Sequence, residues 1–119
     1  MQQLLEEFQD IIKQATIERY EVSGDNIKLR MKILLMNDSQ LFIRETIISG
    51  EMRKYSYHWQ DIDRKLIKRW DNAPGWDLET FPHHLHIGED TVAVSYIRSI
   101  EKVLEIIRKE IAINQKPGK

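Results

Sequence analysis

The 119-residue chain predicts an α+β domain, an antiparallel sheet of five or six strands flanked by an N-terminal and a C-terminal helix. Three observations lead there. Apolar residues recur at helical spacing near both ends, the stretch between them alternates apolar and polar residues with a period of two, and Gly, Asn and Asp punctuate that stretch at hairpin intervals. Composition agrees: 41% hydrophobic and 31% charged residues, with 5 Gly and 3 Pro, suit one packed domain over 1–119.

At the start, Leu4, Phe8, Ile11 and Ala15 form a stripe widened by Leu5 and Ile12, with Glu6, Glu7, Gln9 and Asp10 mainly opposite, which predicts a helix over 3–15. From Thr16 β-branched and aromatic residues dominate. Gly24-Asp25-Asn26 separates 17–22 from 27–36, a predicted hairpin in which Ile27, Leu29, Met31 and Ile33 alternate with Lys28, Arg30 and Lys32. Asn37-Asp38-Ser39 is a turn, 41–49 a third strand, and Gly50-Glu51 another turn. A fourth strand over 54–60 places Tyr55, Tyr57 and Trp59 on one face, where period-two aromatics are expected to be core. Asp61-Ile62-Asp63-Arg64 leads into a fifth strand over 65–70. A four-residue turn sets Gln60 opposite Lys65, Trp59 opposite Leu66 and Tyr55 opposite Trp70. The other face then collects Ser56, His58, Gln60, Ile67 and Arg69, with Asp71 just past the strand end. Residues 72–82 read as a loop and 83–87 as a short edge strand, closing a meander over 17–87. Ile100, Val103, Leu104, Ile107 and Ile111 predict a helix over 99–113 with Ser99 as N-cap, and 114–119 a frayed tail. Both helices are expected on one sheet face.

With no cysteine, disulfides, thiolate catalysis, iron–sulfur clusters and Cys-ligated zinc are excluded together. No apolar run approaches the roughly 18 residues of a membrane span, and the N-terminus has no signal-peptide pattern, so a cytoplasmic protein without membrane contact is expected. The net charge of −1 conceals a division along the chain. Residues 1–26 carry a net of −4, whereas 53–70 carry Arg53, Lys54, Arg64, Lys65, Lys68 and Arg69 against Asp61 and Asp63, a net of +4.

Three of the four histidines crowd into Phe81-Pro82-His83-His84-Leu85-His86, and the fourth lies in Tyr55-Ser56-Tyr57-His58-Trp59. In an extended 83–87, His84 and His86 share a face that His83 does not. With His58, Arg69 and Asp71 they supply what phosphodiester chemistry on RNA requires: a general acid and base near neutral pH and a fixed positive charge for the oxyanion. In that reading His58 with His84 or His86 handles protons, Arg69 stabilises phosphate, Asp71 orients an imidazole, and Asn72 and His83 give structural support. Lys54, Lys65, Lys68 and Trp76 are the expected RNA contacts. No metal or cofactor is required. Two alternatives stand beside it: a metal-dependent hydrolase in which two strand imidazoles and a third His or Asp71 hold zinc, nickel or manganese, and a non-enzymatic interaction module or homodimer binding through a sheet edge or the Trp76 loop. A strand histidine is also commonly a hydrogen-bonded structural residue.

Arg69-Trp70-Asp71-Asn72-Ala73-Pro74 followed by Phe81-Pro82-His83-His84-Leu85-His86, and preceded by Tyr57-His58-Trp59-Gln60-Asp61, resembles the signature of the TumE-type toxin family over roughly 16–112. Two departures are visible: Gly75-Trp76 stands where members commonly have His-His, and Arg64 where they tend to have Gly. By matching position His58, Arg69, Asp71, Asn72, His83, His84 and His86 are the motif residues. The resemblance implies the toxin of a toxin–antitoxin pair, with an antitoxin as partner and, by analogy with small toxins of this shape, an RNA endonuclease activity.

Overall fold

The computed structural model describes residues 2–72, 84–88, 91–94 and 99–114, with only the backbone course at Met52, Arg53, His84, His86, 91–94 and Asn114. The loop expected after Asn72, including Trp76 and His83, and the tail beyond Asn114 lie outside the described residues. The α+β arrangement is as expected. In order come α1 (Gln2–Glu7), β1 (Ile12–Ser23), β2 (Asn26–Leu35), β3 (Gln40–Ile48), β4 (Glu51–Gln60), β5 (Leu66–Asp71), β6 (His84–Ile87), β7 (Thr91–Val94) and α2 (Ile100–Asn114). The strands form one antiparallel meander in sequence order, β1 to β7.

The first difference from expectation lies at the N-terminus, where the helix expected over 3–15 stops at Glu7. Turn hydrogen bonds carry the chain from Phe8 to Ile12, and Met36 N–H then donates to Ile11 C=O at 2.8 Å, where the ladder to β2 begins. Ile11, Ile12, Thr16 and Ile17 are β-branched, and a neighbouring strand to pair with outweighs the helical spacing of the stripe. Phe8 and Ile11 still reach the core.

The second difference is the register of β4 and β5. Asp61 Oδ1 accepts the N–H groups of Asp63 and Lys65 at 2.8 and 3.0 Å, Asp61 N–H donates to Lys65 C=O, and Arg64 sits at φ +67°. These bonds close five residues into the turn, so Gln60 pairs with Leu66 instead of Lys65. A bulge between Leu66 and Lys68 adds a further step, and His58 faces Arg69 while Tyr57 faces Trp70. The displacement at His58 and Tyr57 amounts to two residues, which preserves the faces, so the aromatics still gather on one side. At the far end 83–87 is not an edge. Gly88, at φ +67°, turns β6 back against β7, which is the outer strand.

One face of the sheet is the core. The row Met31–Ile43–Tyr57–Trp70–Leu85 crosses five strands, and its first four residues are buried, as are Ile33, Leu41, Tyr55 and Trp59 beside them. Each large side chain so buried stabilises the fold by roughly 1.5–3 kcal/mol. Val103, Leu104, Ile107 and Ile111 of α2 pack onto this face, with Ser99 Oγ accepting Lys102 N–H at 3.3 Å as N-cap. Arg108 donates to Glu7 C=O and Asp10 Oδ1, both at 2.7 Å, and lies 4.3 Å above the Phe8 ring, holding both terminal segments on the same side. Lys68 also belongs here, paired with Glu110 of α2.

Candidate functional site

Covering one face with helices leaves the opposite face of β2 to β5 open, and alternation decides what it displays. Residues directly opposite in an antiparallel pair share a face. Two rows run across the sheet. The first is Lys32–Phe42–His58–Arg69, continued by the position of His86 on β6; the second is Arg30–Arg44–Ser56–Asp71, continued by the position of His84. His58, Arg69, Asp71 and the register positions of His84 and His86 thus converge from three strands, Arg69 lying 11 residues after His58 and His84 13 after Asp71.

His58 is half-buried, its ring edge-on to Phe42 with centroids 6.1 Å apart. Its Nε2 lies 3.1 Å from Gln60 Oε1, and the Gln60 amide donates in turn to Gln40 Oε1 at 3.3 Å. Because the Gln60 nitrogen is committed to Gln40, its oxygen faces the ring and His58 Nε2 must be the donor. That fixes the tautomer with Nδ1 as the free lone pair. Burial, the larger influence, together with the Arg69 charge lowers the His58 pKa, partly opposed by the Gln60 hydrogen bond. The imidazole is therefore neutral at neutral pH, the form of a proton acceptor.

Arg69 Nε lies 3.1 Å from Asp71 Oδ2, an ion pair between residues two apart on one strand face. The Asp71 side chain is 5% exposed and that of Arg69 43%, so a buried carboxylate anchors a guanidinium that still reaches solvent. The Nε–H is not aimed along the contact and has no hydrogen-bond partner among the described residues. Asn72 Oδ1 accepts Tyr55 N–H at 2.9 Å, tying the end of β5 back to β4.

Two adjoining hollows of about 330 and 420 Å³ lie over these rows and share Arg30, Arg44, Ser56 and Arg69, making one trough. His58 and Phe42 line one end, and Lys28, Lys54, Asp71 and Asn72 the other. Of the RNA contacts read from sequence, Lys54 joins the trough, Lys68 is on the helix-covered face with Glu110, Lys65 stands exposed in the β4–β5 turn, and Trp76 lies outside the described residues. Sequence reasoning missed Arg44 and underrated Arg30 and Lys28. The signal was there in the alternation Phe42-Arg44-Thr46 opposite Lys28-Arg30-Lys32, which becomes visible once β2 and β3 are paired. Among the described residues no three His, Asp or Glu side chains gather to hold a metal ion.

A protein-family model described as Toxin TumE matches residues 1–114. No curated protein and no solved structure matches the chain.

Proposed function

The chain belongs to the TumE toxin family, and from that premise we propose that it acts by cutting RNA at the open face of its sheet through metal-independent acid–base catalysis. As a family member it is the toxin component of a toxin–antitoxin system and has a cognate antitoxin as partner. One observation supports the chemical reading above others: the register His58–Arg69–His86 puts a neutral histidine and a second histidine position on either side of an arginine anchored by a buried aspartate. The outer two positions are about 10 Å apart, twice the spacing of neighbouring strands, room for a phosphodiester between them.

In the reaction His58 Nδ1 accepts the proton of a ribose 2′-hydroxyl as the 2′-oxygen forms its bond to phosphorus. The bond from phosphorus to the 5′-oxygen of the next nucleotide breaks, and a protonated His84 or His86 gives that oxygen its proton. The products are a 2′,3′-cyclic phosphate and a free 5′-hydroxyl. Arg69 neutralises charge that develops on the non-bridging oxygens, and Asp71 keeps its guanidinium in place.

The test incubates purified protein with RNA in EDTA and compares single variants. His58→Ala is expected to lower the rate about 10²–10⁴-fold, and Arg69→Gln about 10²–10³-fold, while RNA carrying a 2′-deoxy nucleotide at the cut site resists cleavage. Cleavage unchanged in His58→Ala and in a double His84→Ala/His86→Ala protein would refute the proposal; abolition by EDTA with restoration by metal would move it to the metal-dependent alternative. A second reading, an interaction module that pairs as a homodimer, has one observation in its favour. The edge strand β1 leaves Ile17, Tyr20 and Val22 exposed. Sedimentation at micromolar concentration decides it, a monomer removing that reading.

A further inference from the structure

Arg30 and Arg44 are directly opposite one another on β2 and β3, both exposed, and among the described residues neither has an ion-pair or hydrogen-bond partner. Like charges placed face to face across a ladder repel, and nothing in the catalytic scheme uses them. They sit on the same row as Ser56 and Asp71, and both line each half of the trough. Lys28 and Lys54 extend the positive rim, while Glu18, in the bulge of β1, lines the trough on the β1 side and Glu45 and Asp71 line its other half. The parallel row, one pleat period or about 7 Å away, carries Phe42 next to His58. Cations on both rows with the Phe42 ring among them, 5.9 Å from Lys32 Nζ and edge-on to His58, suit a single-stranded polynucleotide, whose closely spaced phosphates need neutralising and whose bases pack on a ring.

We propose that Arg30 and Arg44 form a phosphate subsite next to the reacting centre, so that single-stranded RNA crosses the sheet from β5 toward β2 with its backbone over Arg44 and Arg30 and a base against Phe42. This rests on RNA being the substrate, but binding can be read without cleavage. The probe is a fluorescent 2′-O-methyl RNA dodecamer, which lacks the attacking hydroxyl. Wild type binds it with a Kd that weakens steeply with salt. Arg44→Gln and Arg30→Gln each weaken binding about tenfold, the loss of one charged hydrogen bond, and each reduces the slope of log K against log salt by about 0.7. Glu18→Gln tightens binding, and Lys102→Ala on the helix face changes nothing. With cleavable RNA, Arg44→Gln raises KM for a long substrate at constant kcat and leaves a dinucleotide unaffected.

Binding and salt slope unaltered in both arginine variants overturn the subsite while leaving the cleavage reading intact. So does loss of antitoxin binding in Arg44→Gln with dodecamer binding unchanged, which would assign the row to an acidic protein. Arginine-dependent binding by a protein that never cuts RNA establishes the subsite and removes the cleavage reading instead.

Discussion

His58 shows how much one side chain owes to neighbours that do no chemistry. Its place on a face with Arg69 is readable from alternation in the sequence. The lowering of its pKa is not, since this comes first from burial among paired strands, opposed by a bond to Gln60, which itself donates to Gln40 on β3, and none of these is known before pairing. The opposing influences on its pKa can be removed singly. Arg69→Gln takes away a repelling charge and raises the His58 pKa toward its ordinary value, and Gln60→Leu takes away a supporting hydrogen bond and lowers it further. NMR titration of the ring carbon Cε1 measures both, and shifts of the same sign, or none, would contradict the arrangement. The acid limb of any pH–rate profile should move with them. Linkage gives the stability counterpart. A folded pKa below the unfolded value near 6.5 means that the unfolded chain binds more protons between the two, so stability rises with pH through that window and declines on acidification.

Among the elements, those whose local period agrees with their long-range pairing are legible, and the one whose period conflicts with it is not. β2 and α2 follow their patterns almost to the residue, because the alternation of Ile27 to Ile33 fits no helix and the spacing of Ile100 to Ile111 fits no strand. Residues 12–15 carry helical spacing and yet join β1, because they pair with β2, a long-range partner that no local window contains. The same limit applies to register: a turn of five rather than four residues and one bulge, neither audible in composition, moved every β4–β5 pair. The same end of β4 is also held from the β3 side by a buried polar contact. Trp59 Nε1 donates to Ser39 Oγ at 2.9 Å, and Ser39, 1% exposed, sits in the β2–β3 turn where its hydroxyl donates to Asn37 Oδ1 at 2.5 Å. Ser39→Ala strands the indole N–H in the core and should reduce stability by about 1–3 kcal/mol. Urea unfolding measures this, and a change under a few tenths of a kcal/mol would show that the contact contributes little.

At the scale of the molecule, folding redistributes charge that the sequence had divided differently. The basic stretch 53–70 is split: Lys68 goes to the helix face, Arg64 and Lys65 to a turn, and Lys54 and Arg69 to the trough. The trough is completed by Lys28, Arg30 and Arg44 from strands that looked merely solvated, which is why a charge count along the chain reached Lys54 and Arg69 and passed over the cations of β2 and β3. Concentrating cations on one face of a chain with a net charge of −1 stores repulsion in the free protein. Removing it should stabilise the fold at the expense of binding. Arg44→Gln relieves the direct pair with Arg30 by about 0.2–1 kcal/mol, or about 1–4 °C in Tm for a chain of this length. The origin of the gain can be checked with salt, because screening weakens exposed like-charge repulsion. Raising the salt concentration should increase the Tm of the wild type more than that of Arg44→Gln, until the two converge. A variant less stable than wild type at low salt, or a gap that salt does not close, would mean that the arginines are held by contacts other than a waiting anion, and the trough would lose its claim as a phosphate track.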